Sequence, residues 1–222
     1  MRLLCVSDEV DPLVYSPRIR ERFGDVDAVL AAGDLPMEYV SYIVTLLNKP
    51  LFFVFGNHNL VDLPYYRPRQ QLFKHEAAPG GDRAWGGCYV GFKVRREAGL
   101  IVMGLGGSLR YNDGLNQYSQ LGMWLRALAL TPSLIYNRLR YGRYLDVLLT
   151  HAPPMGIHDR DDPCHRGFKA FLWLMRVFKP RYLVHGHVHL YDSNERRATR
   201  YKDTDVVNAY GHYIIRGDDE LV

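Results

Sequence analysis

The side chains of this chain that could do chemistry are histidines, carboxylates and an asparagine, and they come in small clusters. The stretch LVHGHVHLYD at 183–192 places His185, His187 and His189 within five positions of a chain that has nine histidines in all. Each imidazole carries two nitrogens that need partners, so such a run is poor core material. If a strand through Leu183–Val184 continues, positions 185, 187 and 189 share one side of it, and Gly186 permits a sharp exit from the sheet. A Gly-His-x-His unit at that point is a metal clamp if other ligands meet it. Candidates lie upstream: Asp8 with Asp11 nearby, Asp34 after Gly33, Asn57 and His58 after Gly56, and His151. Oxygen and imidazole donors in this mixture suit borderline divalent ions such as Mn, Fe or Zn. A hard-cation cage would use oxygen alone, and a structural zinc site would favour thiolates. The chemistry such a set supports is hydrolytic: two ions ~3.5–4 Å apart share a bridging carboxylate and a hydroxide, and clamp a phosphoryl group for in-line attack.

The elements that must position these residues follow a repeated pattern. Apolar runs at 2–7, 27–34, 50–59, 144–154 and 180–189 each end in one of the polar clusters, as buried strands do when they reach a rim. Between them, 16–24 opens on Ser-Pro and stops at Gly24, 36–48 carries Tyr39, Ile43, Leu46 and Leu47 on one stripe, and 167–179 is amphipathic and closed by Pro180; all three read as helices. Strands alternating with helices predict an α/β fold, with the strands' C-terminal ends converging where ligands bind. Residues 87–94 and 99–107 read as further strands joined by the charged turn RREA, and 204–219 as a hairpin turning near Gly211. Residues 110–143 are too long for a simple connection and read as two helices broken at Thr131-Pro132, with five arginines and one acid, Asp113.

Composition sets the frame. The 222 residues are enough for one substantial core, and 47% hydrophobic with 23% charged is ordinary for a soluble globular protein. A net charge of +4 suits an anionic substrate, and with no long basic groove signal it argues against nucleic acid as the partner. No apolar run approaches the ~20 residues of a membrane span, and MRLLCVSDEV meets acid too early for a signal peptide. Cys5, Cys88 and Cys164 are odd in number and widely spaced, which favours small core residues in a reducing, cytoplasmic setting over a disulfide framework.

The ordered motifs Gly33-Asp34, Gly56-Asn57-His58, His151 and Gly186-His187-Val188-His189, each after an expected strand and followed by Val206-Val207-Asn208, resemble the calcineurin-like metallophosphoesterases over nearly the whole chain. The resemblance implies a single domain over 1–222: a four-layer αββα sandwich with mixed sheets, a metal site at the strand C-termini, and a helical insertion or lid at about 110–143. It implies one or two divalent ions (Mn, Fe, Zn, Ni or Co). Asp34 would bridge them, with Asn57, His151 and His187 on one ion and Asp8 and His189 on the other. His58 would stand beside the phosphate. The implied activity is hydrolysis of a small phosphomonoester or phosphodiester through attack by a metal-bound hydroxide. It sets no oligomeric state.

One motif departs from the family. Where Asp-x-His is usual, this chain has Asp8-Glu9-Val10, and valine cannot bind metal. Asp11 folding back, water filling the place, or a single-ion site are the three outcomes; a substituted or weakened site is favoured because the other ion's ligands are all present. The same change fits a metallophosphoesterase-fold scaffold that has lost hydrolysis, although such a scaffold would be expected to lose His58 as well. His185 reads as core or close support. His158 and Arg110 are candidate substrate contacts. For the arginine-rich segment three readings stand: a solvated helical pair packing Trp124, Leu125 and Leu128 on the core, a lid whose arginines hold an anion, or an interfacial helix through Met123, Trp124, Leu125 and Leu128 giving peripheral lipid contact over 121–143.

Overall fold

The computed structural model describes residues 1–66, 85–192 and 194–217; His75, which carries no functional signal, and positions 218–219 of the expected hairpin lie outside them. Two mixed sheets face each other between two helical layers. The first is built from Arg2–Ser7 (β1), Ala28–Ala31 (β2), Leu51–Phe53 (β3), Cys88–Tyr89 (β4) and Gly211–Arg216 (β13), in the order β13-β1-β2-β3-β4. The second is built from Lys93–Glu97 (β5), Leu100–Leu105 (β6), Val147–Thr150 (β9), Tyr182–His185 (β10), Ala198–Tyr201 (β11) and Thr204–Asn208 (β12), in the order β11-β12-β10-β9-β6-β5. A two-stranded pair, Ser108–Leu109 (β7) with Gln117–Tyr118 (β8), sits apart. In the first sheet β13 alone is antiparallel to its neighbour, and in the second the two edge strands β11 and β5 are.

Strand parity builds the layers, because successive side chains point to opposite faces. Leu3, Cys5, Ala28 and Leu30 of the first sheet meet Val102, Val147, Leu149, Tyr182 and Val184 of the second, in a core between the sheets. The neighbours Leu4, Val6, Val29 and Ala31 point outward to the helices Ile19–Phe23 (α1), Met37–Leu47 (α2) and Leu63–Tyr66 (α3). On the far side Ile101, Met103, Leu148 and Leu183 meet Gln120–Ala129 (α4), Thr131–Tyr141 (α5) and Lys169–Phe178 (α6). The helices stop where their sequence requires: α2 at Asn48 and α6 at Lys179, both left-handed, and α5 at Gly142 with φ 77°. Among the described residues no helix is long and apolar enough to cross a membrane.

Four expectations change. Arg95, Arg96 and Glu97 lie in β5, not in a turn; the turn is Ala98-Gly99, with φ of 50° and 80°, the two-residue connection whose twist matches antiparallel strands. Residues 204–216 are not a hairpin. β12 and β13 belong to different sheets, and the chain crosses between them at Ala209–Tyr210, pinned by Ala209 N–H to His185 O and by a bridge of Tyr210 to Ser7. Residues 110–143 do form two helices, but Met123 and Ala127 are the buried residues of α4, and Leu125 and Leu128 face outward. The β10 alternation also ends at His185, so His185 and His187 do not share a face: a tight turn intervenes, with Val188 N–H bonded to Gly186 O at 2.8 Å.

Candidate metal centre

Each polar cluster begins where a parallel strand gives out: Asp8 after β1, Asp34 after β2, Asn57 after β3, His151 after β9 and His187 after β10. The backbone is held in unusual turns at these points. Asp8, Asp34 and His187 have φ of 65°, 56° and 68°. At Asp8 the following N–H, of Glu9, returns to Ser7 O at 2.7 Å, matching the turn at His187. These are three-residue turns of the rarer, positive-φ kind, and such strain gathers at functional sites. Two glycines are obligatory. A Cβ on Gly56 would lie 2.1 Å from Asp34 Oδ1, and one on Gly186 would lie 1.9 Å from Ser7 Oγ and 2.3 Å from Asp8 Oδ2.

The side chains then converge. His151 Nε2 stands 3.2 Å from Asp34 Oδ2 and 3.2 Å from Asn57 Oδ1, and its ring lies 4.9 Å from that of His187. Asp34, His151 and His187, all buried, each offer a donor atom within 4.8 Å of the others. Carbonyls choose the tautomers, since a carbonyl can only accept. His151 Nδ1 donates to Ala32 O at 2.8 Å, leaving Nε2 for the site; His187 Nε2 donates to Cys164 O at 2.6 Å, leaving Nδ1. Such second contacts orient metal-binding imidazoles. Asn57 is set by Tyr111, whose hydroxyl accepts from Nδ2 at 3.1 Å and so turns Oδ1 toward His151.

Electrostatics points the same way. Burial would raise the Asp34 pKa, but the charge and hydrogen bond of His151, the His58 N–H and the His58 charge outweigh it and hold it at about 2. Burial would likewise lower the His151 pKa, but Asp34 and Asp8 carry it to about 9. For His187 burial wins, with repulsion from His151, and its pKa falls to about 4. The electron-rich atoms Asp34 Oδ2, Asn57 Oδ1 and His151 Nε2 aim at one another, an arrangement that needs a cation between them. A proton serves without metal, and a divalent ion fits the same oxygen-and-imidazole donor set.

The other candidate residues divide. Asp8 accepts His187 N–H at 2.9 and 3.1 Å. His189 Nε2 lies 3.8 Å from Asp8 Oδ1. His189 is half-buried and stacked 4.8 Å from Tyr210, and its pKa is raised chiefly by the Asp8 hydrogen bond, against the opposing effect of burial. His58 is exposed, its N–H anchored on Asp34 Oδ1 at 2.7 Å. Arg110 is exposed and adjoins Tyr111. Asp11 is not brought into the group: Oδ1 accepts Leu13 N–H at 2.8 Å and Oδ2 meets His212 Nδ1 at 2.6 Å. Val10 is exposed.

His158 points elsewhere. Its Nδ1 meets His185 Nε2 at 3.0 Å and its Nε2 meets Thr199 Oγ1 at 2.8 Å, so both ring nitrogens are engaged within the fold. Sequence reasoning missed Tyr111, the Cys164 carbonyl, and Asn116, whose Nδ2 donates to Gly56 O at 2.5 Å and Phe55 O at 3.2 Å to hold the Asn57 turn. It also missed His165, whose ring lies 5.4 Å from that of His187. No spacing signal marks these residues. Asn208, noted for its place in the ordered motifs, donates from Nδ2 to Val188 O at 2.8 Å and so ties β12 to the Gly-His-x-His turn.

A sequence profile of the calcineurin-like phosphoesterases matches residues 1–191. No curated protein matches the sequence. A crystal structure of TT1561 of Thermus thermophilus superposes with a TM-score of 0.60 at 14% identity, covering 94% of this chain and 88% of that one. A second crystal structure reaches 0.64 at 15% identity, covering 94% and 90%. At these identities the likeness is one of fold.

Proposed function

The chain belongs to the calcineurin-like phosphoesterase family, and from that membership we propose that it is a metal-dependent hydrolase of a small phosphomonoester or phosphodiester. The observation that carries the reading is the buried meeting point of Asp34 Oδ2, Asn57 Oδ1 and His151 Nε2 beside His187. Asp34, Asn57, His151 and His187 would hold one divalent ion, and Asp8 and His189, sharing Asp34, a second. When bound, such ions neutralise phosphoryl charge and acidify a water. The chain's own residues then have separate tasks. Asp34 Oδ1 holds the His58 backbone, which leaves the exposed His58 ring at the mouth of the site to donate a proton to the leaving oxygen. Arg110, beside the tyrosine that orients Asn57, offers a guanidinium to the substrate's anionic oxygens.

His158 and Asp11 are left out of the site because their polar atoms are already engaged. With Val10 where a ligand is usual and His189 only half-buried, the second ion is the weaker one. Manganese is the first ion to test, and the odd number and wide spacing of Cys5, Cys88 and Cys164 support a reducing, cytoplasmic setting.

The exposed Val10 also favours a second reading, a metal-binding scaffold without turnover. The purified protein, assayed on nitrophenyl phosphate and bis-nitrophenyl phosphate with Mn, Fe, Co, Ni or Zn, separates the two. The phosphoesterase turns over at least one ester, and His58→Ala lowers kcat by about 10²–10⁴ while leaving metal binding intact. Protein that binds metal yet hydrolyses neither ester with any of the ions is the scaffold.

A further inference from the structure

The helical layer on the second sheet has an outer surface that phosphoester hydrolysis does not use. A helix packed on a sheet normally turns a polar face to water. Here Leu121, Leu125 and Leu128 of α4 are 68, 59 and 45% exposed, and Ile135 and Leu139 of α5 are 52 and 82% exposed. Spacings of three and four residues make each set a ridge along its helix. Trp124 of α4 packs on Trp173 of α6, ring centres 5.2 Å apart, and α5 follows directly from α4 and packs on it, so the three helices form one connected layer.

The charge on that layer is one-sided. α4, α5 and α6 contain no Asp or Glu; of their cations Arg126 lies over the Tyr118 and Phe92 rings, and Arg138, Arg140, Lys169 and Arg176 remain for the outer surface. On the opposite outer face α1 and α2 carry two cations and two carboxylates. At 3.6 residues per turn, Arg138 and Arg140 fall on the two flanks of the Ile135–Leu139 ridge. A groove of about 540 Å³ opens beside it, lined by Arg95 and Arg96 of β5 and by Ser133 and Tyr136 of α5. Tyr136 is itself 60% exposed and belongs to both surfaces.

We propose that this layer is a docking face for a bilayer containing anionic phospholipid. The leucines enter the boundary between headgroups and acyl chains, and the arginines meet the phosphates. Water alone is a poor neighbour for apolar ridges of this extent. A second copy of the chain is a poor one as well, because a two-fold contact would set two carboxylate-free, cationic surfaces against each other.

Vesicle co-sedimentation of the whole protein tests this without reference to hydrolysis. The protein is expected to pellet with vesicles of phosphatidylcholine mixed with phosphatidylglycerol, weakly or not at all with phosphatidylcholine alone, and less as salt is raised. Leu125→Ser and Leu139→Ser, both at exposed positions and checked for fold by circular dichroism, should each weaken binding about tenfold. Arg140→Gln should reduce the preference for the anionic lipid. Wild-type protein that stays in the supernatant with anionic vesicles overturns the proposal. So do leucine variants that bind as well as wild type, or a lipid-independent dimer that the leucine substitutions dissociate.

Discussion

His151 is held by its Nδ1–H on the Ala32 carbonyl and turns Nε2 toward two oxygens; one backbone acceptor thereby sets which nitrogen of a buried histidine faces the candidate site. Asn57 depends on its neighbour in the same way, because an amide can present either end and Tyr111 selects the oxygen. Tyr111→Phe removes that selection and keeps the ring. Manganese affinity by titration calorimetry should fall about tenfold or more, and unchanged affinity would show that Asn57 is oriented by something else. Position 10 supplies a second test at this scale. Val10→His places an imidazole where the family resemblance expects one, so the protein should retain an additional equivalent of metal by elemental analysis. If the metal content stays at the wild-type level, Val10 does not mark the lost ligand.

At the scale of elements, a histidine chain links the loop at His158 to strands β10 and β11. His185 Nδ1 lies 2.9 Å from the carbonyl of Gly186 and must donate to it. With both rings neutral, its Nε2 accepts from His158 Nδ1, and His158 Nε2 pairs with the Thr199 hydroxyl. The two facing nitrogens share one hydrogen, so both rings cannot be charged at once. Burial, with the charge of Arg196, accordingly takes the His158 pKa down to about 4 from an ordinary 6.5, and burial with the charge of His158 takes His185 well below its usual value. The unfolded chain then binds more protons than the folded one between those limits. This contribution to stability is complete above pH 6.5 and is lost as pH falls toward 4. Urea midpoints of the metal-free protein should drop across that window, and His158→Gln should flatten the slope. An identical slope in the variant would refute the linkage.

On the scale of the molecule, the candidate metal centre lies at a seam between two sheets. Asp34 and Asn57 follow strands of the first sheet, while His151 and His187 follow strands of the second. Gly186 lets the second sheet approach the Ser7–Asp8 corner of the first. An ion gripped from both sides should therefore cross-link the fold. With manganese at about a hundredfold over its dissociation constant the stabilisation is about 2.7 kcal/mol, which for a chain of this size raises Tm by roughly 5–10 °C. Differential scanning calorimetry should show that rise in wild type and a much smaller one in Asn57→Ala. A wild-type Tm that ignores manganese would mean that the two sheets do not share an ion.

Local patterns in the sequence determined where the parallel strands end and which chemically capable residues stand there. An apolar run that stops at a glycine and a polar side chain carries that information within a few positions, and strand parity follows from the same run. The path after each turn was beyond such patterns, because it depends on contacts with distant parts of the chain. Asp11 is drawn to His212 and His158 to Thr199, and Tyr111 reaches Asn57 from fifty-four positions away. β12 and β13, read as one hairpin, part to different sheets because each finds its own parallel or antiparallel neighbour. The outward face of α4 was likewise decided by packing. A helix with apolar residues around most of its circumference gives its own sequence no preferred side, and only the sheet beneath it selects Met123 and Ala127 for the core.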